Sequence, residues 1–192
     1  NNNNFVKFKN ELSYFKPSTS HINVFLTLKG NPEELNLPQH NHWIINNNFK
    51  DEEIDPIMFI SFPSARNPDW LKIEKHEGKS NCIIIVEAKY EEFQIYNHQK
   101  SGNRENQYQI LKENITNRIL NQFYQYYPKL KDKILSHITG TPVTNEYYLN
   151  SINGCSYGLE HSPLRASDYI TLRPETPFNN LFFTGQDITS AG

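Results

Sequence analysis

Residues 81–88 read Asn-Cys-Ile-Ile-Ile-Val-Glu-Ala, and no other stretch of the 192-residue chain is so plainly a strand. Cys82 to Val86 is an unbroken apolar run, short for a helix and rich in β-branched side chains. That pattern predicts a central strand buried on both faces. Ile22 to Lys29 (INVFLTLK) predicts a second strand. Its alternation puts Ile22, Val24, Leu26 and Leu28 on one face and Phe25 and Thr27 on the other. Gly30 ends it, and Asn31-Pro32-Glu33-Glu34-Leu35 predicts a single helical turn with Pro at its first position. Shorter strands are expected at His42 to Asn46, at Ile57 to Phe62 (stopped by Pro63), and at His137 to Val143, broken by Gly140 and Pro142.

Between the strands lies one long helical pattern. Tyr108, Leu111, Ile115, Ile119 and Phe123 recur every three or four residues, and Leu120, Tyr124 and Tyr127 widen the stripe. Lys112, Glu113, Asn117, Arg118 and Asn121 form the wet face, and Pro128 ends the helix. Short helices are expected at Tyr90 to Asn97 and from a Thr144-Asn145-Glu146 cap into Tyr147, Tyr148 and Leu149. Asn1 to Ser20 reads as a partly ordered lead-in, with a turn at Lys16-Pro17-Ser18. Asp51-Glu52-Glu53 reads as a solvated turn, and Trp70 as the anchor of the turn Asn67-Pro68-Asp69-Trp70. Strands with one long helix and no internal repeat predict an α+β unit with a mixed or antiparallel sheet.

The bulk properties narrow the function classes. A net charge of −2 and a pI near 6.4 give a nucleic acid nothing to grip. The apolar fraction of 36% is low, offset by 13% aromatic residues with large buriable areas. Two cysteines make no disulfide framework, and Cys82, inside an apolar run, reads as a buried free thiol. No apolar run approaches the ~18 residues of a membrane span. His40-Asn41-His42 has neither a third metal ligand nearby nor the other elements of an HNH nuclease, and the chain has no Ser-His-Asp pattern.

The last stretch, Thr171 to Gly192, reads TLRPETPFNNLFFTGQDITSAG. Pro174 and Pro177 forbid a continuing helix, and Asn179-Asn180 makes a turn. Leu181, Phe182 and Phe183 then predict a short strand buried on both faces, running into Thr184-Gly185-Gln186-Asp187. Small residues follow, as at a helix start where a ligand approaches the backbone.

This tail resembles the C-terminal cofactor-contacting segment of the retinol saturase, carotenoid isomerase and phytoene desaturase family of FAD-dependent oxidoreductases. Four further pieces resemble the same family in the same order: LKGNPEELNLPQHNHW from Leu28, PIMFISFPSARNPDW from Pro56, GKSNCIIIVEAKYEEF from Gly78 and GTPVTNEYYLNSINGCSYGLEH from Gly140. The resemblance implies an enzyme that saturates a C=C bond of a polyene such as all-trans-retinol. Carotenoid isomerisation or desaturation, or a non-catalytic lipid-binding remnant, are the alternatives. FAD is the implied cofactor, with NAD or NADP as electron source, and an apolar polyene the implied partner. Endoplasmic reticulum association through peripheral membrane contact, or a cytoplasmic location, is implied as well.

By resemblance, Thr184, Gly185, Gln186, Asp187, Ser190, Ala191 and Gly192 would line FAD. Phe25, Phe59 and Phe62, on the inner faces of the strands, with Tyr148 and Tyr157, would line the polyene. Tyr147, Tyr148, Tyr157, Glu146 and His161 are candidate proton donors by type. The implied division is a lead-in at 1–20, a substrate-binding domain at 21–165 and a return into a Rossmann-like FAD domain at 166–192. No G-x-G-x-x-G fingerprint occurs in these residues, so a longer parent chain is expected and the 192 residues alone are expected not to hold FAD.

Overall fold

The computed structural model describes residues 2–46, 55–167 and 172–188. Five strands, β1 (Ser20–Lys29), β2 (His42–Ile45), β3 (Ile57–Ser61), β4 (Lys79–Ala88) and β5 (Ile134–Gly140), form one antiparallel sheet in the order β2-β3-β4-β1-β5. Helices α1 (Asn2–Leu12), α2 (Pro63–Arg66), α3 (Asn106–Tyr126), α4 (Pro142–Leu149) and α5 (Pro163–Ser167) are set around it. The architecture is α+β, and the NCIIIVEA strand is the middle strand, as its apolar run predicts. None of the helices among the described residues is long and apolar enough to cross a membrane.

Register explains the core. β1 and β4 pair over their full length, with Ile22 opposite Val86, Val24 opposite Ile84 and Leu26 opposite Cys82. All six side chains point to one face, where Ile115, Ile119, Leu120 and Phe123 of α3 close over them. Polar links fix α3 over that face. Thr116 Oγ1 lies 2.8 Å from Thr139 Oγ1 of β5, and Tyr108 OH 2.8 Å from Thr141 Oγ1. Gln122 clasps the backbone of Asp55, accepting from its N–H and donating to its C=O, both at 3.0 Å. The Asp55 carboxylate pairs with Arg118 at 2.9 Å. Burial pushes its pKa up, and Arg118 opposes that shift.

Several expectations need correction. β4 is buried on one face only, because α3 covers one side of the sheet while Ile83 and Ile85 on the other are half-buried. Tyr90 to Asn97 is two separate 3-10 turns, Tyr90–Glu92 and Gln94–Tyr96, which sink Phe93 and Tyr96 into the core. The last strand runs Ile134–Gly140, because Pro142 starts α4. The cap of α4 is Thr141, not Thr144. Thr141 and Thr144 form a reciprocal capping box, and Pro142 takes the first helical position. The lead-in holds a true helix, α1, and Pro17 is extended, bridging Leu159 instead of turning.

The tail departs most from expectation. Leu181, Phe182 and Phe183 form no buried strand; Phe182 is 65% exposed and makes a single bridge to Glu175. Their apolar character is real, but Leu181 and Phe182 stay exposed, and Phe183 is covered in part by Phe8 of α1.

Candidate functional site

The uncovered face of the sheet carries an apolar stripe among polar outward positions such as Asn23, Thr27, Asn81 and Ser136. Trp43 and Ile45 of β2, Ile57 and Phe59 of β3, Ile83 and Ile85 of β4, Phe25 of β1 and Ile138 of β5 all point to it. Cross-strand rows place Trp43 beside Phe59 and Phe59 beside Ile85; a second row runs from Ile83 through Phe25 to Ile138. An antiparallel sheet that ends at water normally shows polar residues there. Here Ile138 is 71% and Trp43 66% exposed. A contiguous apolar face of this kind marks a binding surface.

One end of this face is a folded polar corner. The backbone of 16–18 is laced to 158–160, with Ser18 N–H donating to Gly158 O at 2.7 Å and Glu160 N–H to Lys16 O at 2.8 Å. Ser20 Oγ donates to Asn153 O at 2.6 Å. These ties bring Tyr157 edge-on to His21, the first outward residue of β1, with ring centroids 6.2 Å apart. His161 stands 6.0 Å from the other side of Tyr157. His21 Nδ1 is 2.8 Å from Ser156 Oγ. Burial lowers the His21 pKa, with Glu87 across the strand pair working against it.

The tail docks onto the same corner. Phe183 N–H donates to Pro174 O at 2.7 Å and Thr176 Oγ1 to Leu181 O at 2.8 Å, folding 174–183 into a tight reversal. Phe178 and Phe183 rest on Phe5 and Phe8 of α1, at 5.6 and 5.7 Å. Beyond the reversal, Arg165, 5% exposed, donates to Leu159 O at 2.6 Å and Gln186 O at 3.0 Å. Its guanidinium faces Asp187 Oδ1 at 3.6 Å, and that oxygen also accepts the Leu159 N–H at 2.8 Å. Gly158 has φ +66°, and a Cβ there would lie 2.3 Å from Asp187 Oδ1. Gly185, at φ +112°, has no heavy atom within 4 Å of where its Cβ would stand. A planar group has room to approach that backbone.

The structure sorts the sequence candidates. Thr184, Gly185 and Gln186 are exposed beside the corner, and Asp187 is half-buried with Oδ1 already engaged. Ser190, Ala191 and Gly192 lie outside the described residues, as does the acidic turn at 51–53. Phe25 and Phe59 share the open face, whereas Phe62 is 1% exposed in the core against Tyr127. The expected wall from the inner faces is therefore corrected. Those faces are filled by α3, and the outward residues are the free ones. Tyr147 and Tyr148 sit exposed on α4, ring to ring at 5.0 Å, and Glu146 accepts from Tyr90 OH at 2.9 and 3.1 Å. Among the described residues no group of three or more His, Cys, Asp or Glu is placed to hold a metal.

No family model matches the chain. Similarity to curated proteins extends over nearly all of it. An all-trans-retinol 13,14-reductase of Danio rerio is 34% identical over 198 residues, covering 95% of this chain. Its Macaca fascicularis counterpart is 29% identical over 200 residues, or 96% of the chain. Over nearly all of its own length the chain is similar to all-trans-retinol 13,14-reductases. It spans about a third, 32%, of the length of these relatives. A Danio rerio protein named as an inactive all-trans-retinol 13,14-reductase also aligns, at 26% identity over 94% of the chain.

Sequence reasoning gives no role to His21 or Arg165, and reads Ser156 and Gly158 only as part of a flexible, backbone-exposing loop. His21 had a signal: it carries the outward parity of Phe25 two steps earlier on the same strand. Arg165 had none, because its partners at Leu159 and Gln186 are joined to it only by folding.

Proposed function

We propose that these residues are the substrate-facing part of an FAD-dependent oxidoreductase that saturates a C=C bond of a polyene such as all-trans-retinol. The carrying observation is the open apolar sheet face ending at the His21–Tyr157 corner. A polyene is long, flat and apolar. From His21 to Thr27, β1 offers about 20 Å of outward surface at ~3.4 Å per residue. Laid along it, the polyene would shed water against Phe25, Ile83, Ile85 and Ile138, and one end would reach the corner.

The tail fits FAD. Gly185 leaves space against its backbone, Thr184 and Gln186 are exposed beside it, and Asp187 Oδ2 has no hydrogen-bond partner among the described residues. When bound, FAD would supply the hydride chemistry. In this reading Leu181 to Phe183 return to a nucleotide-binding domain of a longer chain, which explains an apolar run left open here. Tyr157 Oη carries the proton for the neighbouring carbon, its ring held edge-on by His21, which Ser156 in turn positions. Tyr147, Tyr148 and Glu146 on α4 rank behind it, Glu146 because Tyr90 already occupies its carboxylate.

The test is retinol binding by the 192 residues, read by tryptophan fluorescence, with FAD titrated in parallel. Phe25→Asp and Ile138→Asp, both at exposed positions, are expected to weaken retinol binding at least tenfold without unfolding the chain. FAD alone is expected not to bind. Unchanged retinol affinity in both variants would sink the reading. The alignment to the inactive Danio rerio relative favours a second reading, a lipid-binding chain without turnover. Co-expression with the remaining two-thirds of the active Danio rerio reductase separates the two: dihydroretinol forms only under the first.

A further inference from the structure

Away from the His21–Tyr157 corner, the open face ends in a cavity of about 390 Å³. Two cross-strand rows form its floor. Ile83, Phe25 and Ile138 make an apolar row; Asn81, Thr27 and Ser136, one outward step further along β1, make a polar one. The wall comes from the connection before β4. There Trp70 stacks on His76 with ring centroids 3.8 Å apart, and its indole N–H donates at 2.8 Å to the backbone oxygen of Lys79, the first residue of β4. His76 Nδ1 lies 3.1 Å from Trp70 O, which requires the proton on that nitrogen. The aromatic wall is thus pinned from two sides. Lys75 and Lys79 also line the cavity, both exposed, a setting in which ammonium heads stay in water and the stems lie on apolar surface.

The spacing of these rows measures a ligand. Along β1 the Phe25 row lies about 14 Å from His21 and the Thr27 row about 20 Å, at ~3.4 Å per residue. An all-trans retinoid spans roughly 15 Å from its hydroxyl to the far edge of its ring, at the ~1.2 Å per bond of an extended chain. Its orientation follows from the chemistry at the corner. The 13,14 bond of retinol adjoins the carbon that bears the hydroxyl, so Tyr157 reaches that bond only when the hydroxyl end lies beside it. The ring then rests on Ile83, Phe25 and Ile138. Apolar carbon pushed further would take the side chains of Asn81, Thr27 and Ser136 from water with no hydrogen bond in return, and would then meet Trp70.

We propose that the polar row and the Trp70–His76 wall are the end stop of the polyene site: the ring of retinol seats against Ile83, Phe25 and Ile138, and a polyene longer than a retinoid is refused. The inference rests on the polyene reading and adds what that reading leaves open, the direction of the ligand and the limit on its length. Trp70 serves two purposes here, anchoring its own turn and setting specificity. The same stop sets retinoids apart from carotenoids, which overrun it.

The experiment has two arms on the 192-residue chain. In the first, retinol carrying a nitroxide on its ring is added to Trp43→Phe protein, in which Trp70 gives the one indole N–H resonance. The label is expected to broaden that resonance and the amides of Ile83 and Ile138 more than the amide of Tyr157. In the second, all-trans-retinol is compared with a longer β-apocarotenol that keeps the same ring and hydroxyl ends. The longer alcohol is expected to bind at least about tenfold more weakly, the equivalent of ~1.4 kcal/mol. Trp70→Ala/Thr27→Val, which opens the wall and makes the row less polar, is expected to close most of that gap. Should the double variant fail to fold, the first arm still decides, because it leaves the wall intact. Strongest broadening at Tyr157, equal binding of the two alcohols, or a gap that survives in folded double variant overturns the stop and leaves the polyene reading standing. Failure of retinol to bind at all overturns the two together.

Discussion

Replacing Gly158 by Ala tests how the tail is held. Gly158 lies in the left-handed region at φ +66°, where a side chain costs about 1 kcal/mol. The new methyl would stand 2.3 and 2.4 Å from the two carboxylate oxygens of Asp187, far inside contact distance. Either the loop shifts or Asp187 swings away. If it swings, the Leu159 N–H loses a bond to a charged acceptor at 2.8 Å, a loss of about 1.5–3 kcal/mol. The Arg165 pair adds little, since the Asp187 side chain is 43% exposed and solvent screens it. The sum against the docked tail is about 2.5–4 kcal/mol.

That cost should appear as local opening, because this clip, the Arg165–Gln186 bond and two aromatic pairs hold the tail from its own side while the core lies under α3. Native-state hydrogen exchange is the assay. Amides of Leu159 and Phe183 should exchange about a hundredfold faster, at ~1.4 kcal/mol per tenfold, while the urea midpoint moves by less than about 0.5 kcal/mol. Asp187→Asn keeps an acceptor for Leu159 and should lose only about 1 kcal/mol. Asp187→Ala removes the clash partner, so adding Gly158→Ala to it should cost only the left-handed strain. The two substitutions must therefore be strongly non-additive. Additive effects, or a global midpoint that falls by the full amount, refute the clip.

Gln122→Ala strips two hydrogen bonds from the buried backbone of Asp55 and should cost about 2–4 kcal/mol in urea unfolding. Ile119→Ala, at a fully buried position of α3, should cost about 2–5 kcal/mol, whereas Ile138→Ala on the open face should cost under about 0.5 kcal/mol; the contrast checks which face is the core. Burial holds His21 and His42 below the ordinary histidine pKa, so the unfolded chain binds more protons as pH falls. Their contribution is present above about pH 6.5 and is lost as pH drops through the lower folded values. His21→Gln should flatten that part of the urea-midpoint curve. Asp55 acts with the opposite sign: its raised pKa makes its contribution full below about pH 4 and lost as pH rises through the folded value, a trend that Asp55→Asn should remove.

The sheet and α3 were legible because each carries its own period. β1 alternates every second residue, and the α3 stripe repeats at three and four. The polar residues inside α3 were not. Thr116 and Gln122 look like wet-face residues until Thr139 and Asp55, 23 and 67 positions away, are folded against them. The α4 cap was missed for a local reason: Pro142 at the first helical position pointed to Thr141, but the reciprocal partner is Thr144, not an acid. In α1, Phe5, Phe8 and Leu12 keep helical spacing within an asparagine-rich stretch of poor propensity, and the propensity masked the spacing.

One rule failed twice, and its failures bear on function. An uninterrupted apolar run was read as a strand covered on both sides, at Cys82 to Val86 and again at Leu181 to Phe183. In both places hydrophobicity was read correctly and coverage was not, because coverage belongs to whatever packs from outside the run. Ile83 and Ile85 face outward beside Phe25, and Phe182 faces outward beside Gly185. The sheet face ends at His21 and Tyr157, and Asp187 clips the tail to Leu159 of the same loop after α4. Independent surface hydrophobes would be scattered singly. The tie of both surfaces to one loop is what a ligand shared between the sheet face and the tail requires. It is also why Phe25→Asp, midway along β1, and Gly158→Ala, beside its first residues, should both weaken retinol binding in a chain whose core neither touches.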